Sequence, residues 1–226
     1  MPSELKAVFF DVGNTLLFPD HDRILAPLDP PKLASSRARW HEIERATKKE
    51  FDDLIERDGL VDHGFWFLFY SHLLAGLGVE DSAILDSLVE ATRISANWCD
   101  IRPGTREALE RIGENYPLGV ISNADGRIAG VLERCGIADC FQSITDSGEV
   151  GYEKPDPAIF EAALGSLGID ARHSLYVGDV YSVDYLGATR AGMKAILFDV
   201  SGAYRGRSLP RVESLEELEA TLRTRR

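Results

Sequence analysis

Four short apolar segments recur along the chain, and turn-forming residues follow each of them. They span residues 7–10, 118–121, 174–177 and 195–198. Polar and apolar side chains do not alternate within them, a pattern typical of strands that are buried on both faces of a parallel sheet. Amphipathic segments between and after them predict helices over residues 105–114, 127–134, 157–167, 184–191 and 214–223. This order of strands and helices predicts an α/β fold with a doubly wound parallel sheet.

The stretch from Phe18 to Cys99 interrupts this order, because its pattern contains no credible strand. Helical periodicity predicts three helices there, over residues 31–58, 64–77 and 81–95. Pro31 suits the first turn of a helix, and Asp81 suits an N-cap. We therefore expect an all-α domain, residues 18–99, inserted after the first strand of a core that residues 1–17 and 100–226 form.

The insertion carries aromatic and charged residues that a function could use. The aromatic residues recur at helical spacing, which is typical of a packing stripe; they are Trp40, Trp66, Phe67 and Tyr70. The charged residues are interpreted as solvated surface, with contact to a substrate as the alternative; they are His21, Arg23, His41, Lys48 and Lys49.

The charge balance narrows the classes of partner. The 226 residues include 25 Lys and Arg against 37 Asp and Glu, a formal net charge of −12. This excess of negative charge argues against nucleic acid and against an anionic membrane surface as partners. It leaves room for a small anionic substrate, because a local cation can outweigh the global field.

Targeting and redox features point to the cytoplasm. No apolar run approaches the roughly 20 residues that a membrane-spanning helix needs, and the first residues show no leader pattern. The three cysteines, Cys99, Cys135 and Cys140, are too few and too irregularly spaced for a disulfide framework or a zinc site. We expect free thiols in a cytoplasmic protein; the oligomeric state stays open.

Polar residues stand where the predicted strands end. Asp11 follows the first strand and Ser122 the second, whereas Asp179 and Asp184 follow the third. Lys154 lies in the loop that precedes the helix predicted at residue 157. Ligands of open parallel sheets bind beyond the carboxyl ends of the strands. We therefore expect three carboxylates, a hydroxyl and an ammonium group at one edge of the sheet.

Such a cluster predicts a chemistry. Three crowded carboxylates repel one another unless a cation lies among them. Oxygen ligands without His or Cys favour Mg²⁺ over zinc. A carboxylate can attack phosphorus and form an aspartyl-phosphate when the phosphoryl charge is neutralised, and Mg²⁺ and Lys154 are the obvious neutralising groups.

Four segments, FFDVGNTLL, VISNAD, EKPDP and VGDVYSVD, resemble in order the four motifs of the haloacid dehalogenase superfamily. The helical insertion resembles the α-helical cap of that superfamily, and the resemblance runs from Lys6 to about Phe198. It implies a Rossmann-like core with a cap domain and a hydrolase that uses Mg²⁺ as its cofactor.

The resemblance also implies roles for the metal-binding residues. Asp11 would be both the nucleophile and a metal ligand, and the backbone carbonyl of Gly13 would be a second ligand. Asp179 would bind Mg²⁺ directly. Asp184 would hold either Lys154 or a water bound to the metal.

A second group of roles concerns the phosphate. Ser122 would hydrogen-bond the transferring phosphoryl group, helped by the backbone of Asn123. Lys154 would bind the nucleophile and the phosphate. Thr15 would support the loop that follows the nucleophile, as part of the phosphate-binding group.

One position departs from the motif. Phosphatases of this superfamily usually carry a second aspartate two residues after the nucleophile, where it acts as general acid and then base; here that residue is Gly13. General acid–base catalysis contributes roughly 10²–10⁴-fold. The cap could supply the acid, the substrate could have a leaving group of low pKa, or turnover could be slow.

Three functions remain open at this point. The first is a Mg²⁺-dependent phosphatase acting on a small phosphorylated metabolite through an aspartyl-phosphate. The second is a metal-independent 2-haloacid dehalogenase that uses the same aspartate. The third is a phosphate-binding regulatory protein with little or no turnover.

Overall fold

The computed structural model of the chain describes residues 5–59 and 64–224. The first four residues, on which part of the expectation about a leader depends, lie outside this range. The described strands are β1 (Ala7–Phe10), β2 (Leu17–Pro19), β3 (Trp98–Ile101), β4 (Leu118–Ser122), β5 (Ser143–Asp146), β6 (Ser174–Gly178), β7 (Lys194–Phe198) and β8 (Arg211–Val212). Six of them form one parallel sheet in the order β5-β4-β1-β6-β7-β8.

The centre of this sheet matches the apolar segments of the sequence. Every residue of β1, β4 and β6 is buried, because helices cover both faces of the sheet. The outer strands β5 and β8 were not predicted. Three of the four residues of β5, SITD, are polar or charged, and β8 has only two residues, so neither carries a strong apolar signal.

The described helices are α1 (His21–Ile24), α2 (Pro30–Asp58), α3 (Gly64–Gly76), α4 (Ser82–Arg93), α5 (Thr105–Gly113), α6 (Ile128–Arg134), α7 (Ser147–Val150), α8 (Pro157–Leu167), α9 (Leu186–Arg190) and α10 (Leu215–Thr224). The longer ones agree with the predicted helices to within two residues at each end. The helix predicted over residues 184–191 differs, since a π-helical turn, Tyr181–Tyr185, precedes the short α9. The fold is thus the predicted α/β fold with helices on both faces of a parallel sheet.

Helices α1 to α4, which we call the cap, have a hydrophobic core of their own. Trp40 and Tyr70 are buried in it, and Trp66 and Phe67 pack against it. Trp40 lies 4.6 Å, between ring centroids, from Phe69. The predicted aromatic packing stripe is therefore confirmed.

The prediction that residues 18–99 contain no strand is wrong at both ends. Strand β2 pairs antiparallel with β3, so Phe18 lies opposite Asp100 and Leu17 opposite Ile101. These strands have three and four residues and pair across about eighty intervening positions, which leaves no local periodicity to detect. The small sheet connects the cap to the core and crosses both predicted domain boundaries.

Within the described ranges, no helix combines the length and the apolarity that a membrane crossing requires. The three cysteines are free thiols, as expected.

Candidate active site

Three neighbouring strands deliver the candidate residues to one edge of the sheet. Asp11 follows β1 and its N–H donates to the carbonyl of Val177 at 2.8 Å, Ser122 ends β4, and Asp179 follows β6. Strand β1 lies between β4 and β6; the chain first adds β4 and β5 on one side of β1 and then crosses over to add β6, β7 and β8 on its other side. This is the switch point at which open α/β sheets bind ligands.

Lys154 is the centre of the hydrogen-bond network at this edge. Its Nζ donates to Asp11 Oδ1 at 2.6 Å, to Asp184 Oδ1 at 2.8 Å and to the hydroxyl of Tyr176 at 2.7 Å. These three bonds use all three ammonium donors. Burial would lower the pKa of Lys154, but the carboxylates of Asp11 and Asp184 raise it above its ordinary value. Lys154 is therefore a fixed positive charge against the side chain predicted to be the nucleophile.

The loop that carries Lys154 is held by Asn123. The Lys154 N–H donates to Asn123 Oδ1 at 2.7 Å, and Asn123 Nδ2 donates to the Lys154 carbonyl at 3.0 Å. A cis peptide bond joins Lys154 to Pro155. The Asn123 side chain thus orients the lysine, a contact that the sequence did not reveal, whereas the predicted phosphate contact of its backbone stays a prediction.

Asp184 is held on both carboxylate oxygens. Its Oδ1 accepts from Lys154 and from the Tyr176 hydroxyl at 2.9 Å, and its Oδ2 accepts from the N–H of Val180 at 2.9 Å. Of the two predicted roles for Asp184, the geometry favours holding Lys154. Tyr176 was missed at the sequence level; the one available signal was a single hydroxyl inside the otherwise apolar strand β6.

The three aspartates form a compact acidic cluster. One carboxylate oxygen each of Asp11, Asp179 and Asp184 lies within 4.8 Å of the others, and all three residues are buried. Burial raises the pKa of Asp11 to about 7, with Lys154 opposing the rise and the two other aspartates adding to it. Burial likewise raises the pKa of Asp179 to about 6 against the opposing charge of Lys48.

This donor set fits a hard divalent cation. Buried carboxylate oxygens are the ligands that Mg²⁺ prefers, and three of them converge here without a His or Cys among them. Asp11 and Asp179 are the residues best placed to hold the ion, with Asp184 beside them. The carbonyl of Gly13 stays a predicted ligand.

A family model for haloacid dehalogenase-like hydrolases matches residues 5–192, most of the chain. The chain belongs to the haloacid dehalogenase-like hydrolase family. Its similarity to a glyceraldehyde 3-phosphate phosphatase of Pyrococcus abyssi is 39% identity over 209 residues, which cover 86% of this chain and 81% of that protein.

Solved structures show the same fold. The magnesium-bound hydrolase YfnB of Bacillus subtilis superposes with a TM-score of 0.68 at 17% identity and covers 97% of this chain and 99% of that one. A 2-haloacid dehalogenase of Pseudomonas syringae has a TM-score of 0.60 at 27% identity and covers 98% of this chain and 100% of its own. This haloacid dehalogenase-like hydrolase therefore resembles both phosphatases and dehalogenases in structure or sequence.

Trp98 fills the space beside Gly13, where family phosphatases usually carry the second aspartate. A Cβ placed on Gly13 would lie 3.3 Å from Trp98 Cζ3 and 3.6 Å from Cη2. Trp98 is fixed in turn, since its Nε1 donates to the carbonyl of Thr92 at 2.8 Å. The space for the missing carboxylate is thus occupied by the indole ring of Trp98, which cannot act as a general acid or base.

Lys48 contradicts its interpretation as a solvated surface residue. Its side chain is 0% exposed, and its Nζ lies 2.8 Å from Asp179 Oδ2 and 2.7 Å from Glu44 Oε1. Lys48 lies on the side of α2 that faces the core, whereas the adjacent Lys49 is exposed. Because Lys48 and Lys49 are adjacent residues of the same type, the sequence alone does not show which of the two is buried.

The other charged residues of the cap behave differently. Arg23, His41 and Lys49 are exposed, as expected for solvated surface. His21 is half-buried and stacks on Trp40 with 4.3 Å between ring centroids. None of these four therefore has the same kind of contact with the acidic cluster that Lys48 has.

The two hydroxyl residues predicted to bind phosphate, Ser122 and Thr15, lie in different surroundings. Ser122 is buried at the end of β4, at the edge where Asp11 lies. Thr15 is buried in the turn after β1, and its Oγ1 makes no hydrogen bond to a described residue. It lines a small cavity with Arg102 and Phe198. The roles of both hydroxyls toward phosphate stay predictions.

Proposed function

We propose that this hydrolase is a Mg²⁺-dependent phosphatase that acts on a small phosphorylated metabolite through an aspartyl-phosphate on Asp11. The observation that carries the proposal is the Lys154 ammonium, 2.6 Å from Asp11 Oδ1, beside a buried cluster of three carboxylates. The similarity to a glyceraldehyde 3-phosphate phosphatase supports a phosphorylated substrate. A bound Mg²⁺ would supply positive charge to the phosphoryl oxygens.

The first chemical step uses Asp11 as a carboxylate. One Asp11 oxygen forms a bond to phosphorus while the bond from phosphorus to the leaving oxygen breaks, and that oxygen takes up a proton. Lys154 neutralises charge on the nucleophile and on the phosphoryl group. Gly13 has no proton to give, so the leaving oxygen depends on water or on its own low pKa.

The second step releases phosphate. A water oxygen bonds to phosphorus, the bond to Asp11 breaks, Asp11 returns as a carboxylate, and the protons of the water leave with the phosphate or pass to solvent. No carboxylate at position 13 removes the proton from that water. We therefore expect hydrolysis of the aspartyl-phosphate to limit the rate, which burst kinetics would reveal.

A panel of phosphate esters that spans leaving-group pKa, with and without Mg²⁺, tests this function. We expect Mg²⁺-dependent turnover in which kcat/KM, which reports formation of the intermediate, is far higher for aryl and acyl phosphates than for alkyl phosphates, and no turnover by the Asp11→Asn variant. Activity retained by Asp11→Asn would contradict the nucleophile. Values of kcat/KM that do not depend on leaving-group pKa would show that another residue supplies the acid.

A 2-haloacid dehalogenase is the second candidate, favoured by the similarity to the Pseudomonas syringae enzyme and by the absence of a carboxylate at Gly13. It ranks lower because carbon–halogen hydrolysis needs no metal and leaves no use for Asp179 beside Asp184. Halide release from a 2-haloacid in EDTA would reverse this ranking. A protein that releases nothing from either class of substrate would instead be the phosphate-binding regulator.

A further inference from the structure

One face of helix α2 holds the cap against the core through polar contacts. Arg45 Nη1 donates to the carbonyl of Ser201 at 3.0 Å. Asp52 Oδ1 accepts from the N–H of Ser182 at 3.0 Å. Steps of three and four residues from position 45 to 48 and 52 put these side chains on one helix face. Lys48 stands in the middle of this face, directly over the acidic cluster.

The contacts of Lys48 are those of a counter-ion. Its Nζ lies between Asp179 Oδ2 and Glu44 Oε1, at 2.8 and 2.7 Å. Neither Lys48 Nζ nor Asp179 Oδ2 makes a hydrogen bond of good geometry to a described residue. The ammonium is therefore held by electrostatic attraction to the two carboxylates, in a site without solvent access. Moreover, Asp179 belongs both to this ion pair and to the acidic cluster that could hold a metal.

We propose that the Lys48 ammonium competes with the divalent cation for Asp179, so that this cap residue sets the cation affinity of the site. The inference rests on the Mg²⁺ site of the proposed function.

The physical reason is the short distance between two positive charges. Mg²⁺ binds carboxylate oxygens at 2.0–2.1 Å, and Lys48 Nζ already lies 2.8 Å from one oxygen of the Asp179 carboxylate. A cation on either oxygen of Asp179 would then stand within about 7 Å of the ammonium, and repulsion between two positive charges at that distance is large in a buried site. The ammonium and the cation therefore each weaken the other's hold on Asp179.

The consequence reaches the cap. Lys48 ties α2 to Asp179, so cation binding weakens one contact of the cap–core face and leaves those of Arg45 and Asp52. Lys48 is a positioning residue in this scheme, because it acts on Asp179 and not on the reacting atoms.

Isothermal titration calorimetry of MgCl₂ into EDTA-treated, dialysed protein tests the competition. We expect Lys48→Met to bind Mg²⁺ at least about tenfold more tightly than the wild-type protein, because the competing charge is gone. The double variant Glu44→Gln with Lys48→Met leaves the net charge of the chain unchanged and buries no unpaired carboxylate at position 44. We expect the same gain from it, and it decides the matter if the single variant fails to fold.

Lys49→Met is the matched control, since it removes the same charge from the exposed neighbouring position; we expect its affinity to stay within about twofold of wild type. Asp179→Asn should abolish the calorimetric signal. Equal affinity in wild type, Lys48→Met and the double variant would overturn the competition while leaving the proposed phosphatase intact. A gain as large in Lys49→Met would also overturn it. Absence of Mg²⁺ binding in every protein would overturn both this inference and the Mg²⁺ dependence.

Discussion

Trp98 packs against Gly13 so closely that its Cζ3 lies 3.3 Å from the position of a Cβ on that residue. The ring cannot easily withdraw, because its Nε1 donates to the Thr92 carbonyl and it makes an edge contact with the ring of Trp66, 5.4 Å away between centroids. Gly13, in place of the usual aspartate, and the bulky ring of Trp98 beside it are therefore two parts of one structural feature.

From this contact we predict that Gly13→Asp alone does not raise the turnover of an alkyl phosphate. Overpacking a filled site costs about 1–3 kcal/mol, and the new carboxylate would be displaced from the leaving oxygen. Gly13→Asp combined with Trp98→Leu should raise kcat at least about tenfold above that of Trp98→Leu alone, since general acid catalysis contributes roughly 10²–10⁴-fold.

Steady-state kinetics on an alkyl phosphate measures this effect. Gly13→Asn with Trp98→Leu is the control, because it has nearly the same shape but no acidic proton, and it should show no gain. Equal rates for the Asp and Asn double variants would mean that position 13 is not where the acid acts.

The central strands and the site carboxylates were predictable because each has a local signal. Strands β1, β4 and β6 are continuous apolar segments, and Asp11 and Asp179 follow two of them directly. The parallel sheet then brings their ends together without any knowledge of side-chain packing.

The contacts that depend on long-range packing were not predictable. Gly13 and Trp98 are 85 positions apart, and only the pairing of β2 with β3 brings them together. Lys48 and Lys49 are the same residue type in the same helix, so only the docking of α2 decides which of them is buried. Tyr176 looked like one more strand residue until its hydroxyl was placed between Lys154 and Asp184.

Tyr176→Phe should weaken catalysis more than binding. The hydroxyl contacts Lys154 Nζ at 2.7 Å and Asp184 Oδ1 at 2.9 Å, so its loss leaves one ammonium donor and one carboxylate lone pair unsatisfied in a buried site. Such a loss costs about 1–3 kcal/mol. We expect kcat to fall about tenfold on an aryl phosphate while KM changes by less than about threefold.

Tyr152→Phe is the matched control for Tyr176→Phe, since Tyr152 is 51% exposed and should tolerate the change. A Tyr176→Phe variant with wild-type kcat would show that Lys154 is oriented well enough by Asp11 and Asp184.

Asp52→Ala should loosen the contact between the cap and the core. Asp52 Oδ1 accepts from the Ser182 N–H at 3.0 Å, and both residues are buried. An unsatisfied buried donor costs about 1–3 kcal/mol, so we expect amide exchange of the segment around Ser182 to accelerate about tenfold or more. Hydrogen–deuterium exchange with mass spectrometry measures it.

Asp52→Asn keeps a side-chain oxygen as the acceptor and should exchange at nearly the wild-type rate. Asp53→Ala, at the exposed neighbouring position, controls for the loss of a charge from α2. Unchanged protection in Asp52→Ala would remove this bond from the contacts that hold the cap.

The metal-free protein should lose stability as pH rises from 5 to 8. The pKa of Asp11 is raised from 3.8 to about 7 and that of Asp179 from 3.8 to about 6, in both cases first by burial. The folded state thus binds more protons than the unfolded state in this window, and its free energy of unfolding falls with pH by an amount on the order of a few kcal/mol. Burial would raise the pKa of Glu44, but Lys48 lowers it to about 2, so this ion pair stays ionised over the whole pH range and does not contribute to the pH dependence of stability.

Urea denaturation in EDTA at four pH values measures this fall in the free energy of unfolding, which Asp11→Asn should flatten and saturating Mg²⁺ should offset. A wild-type slope no steeper than that of Asp11→Asn would mean that this carboxyl is already ionised in the folded, metal-free protein.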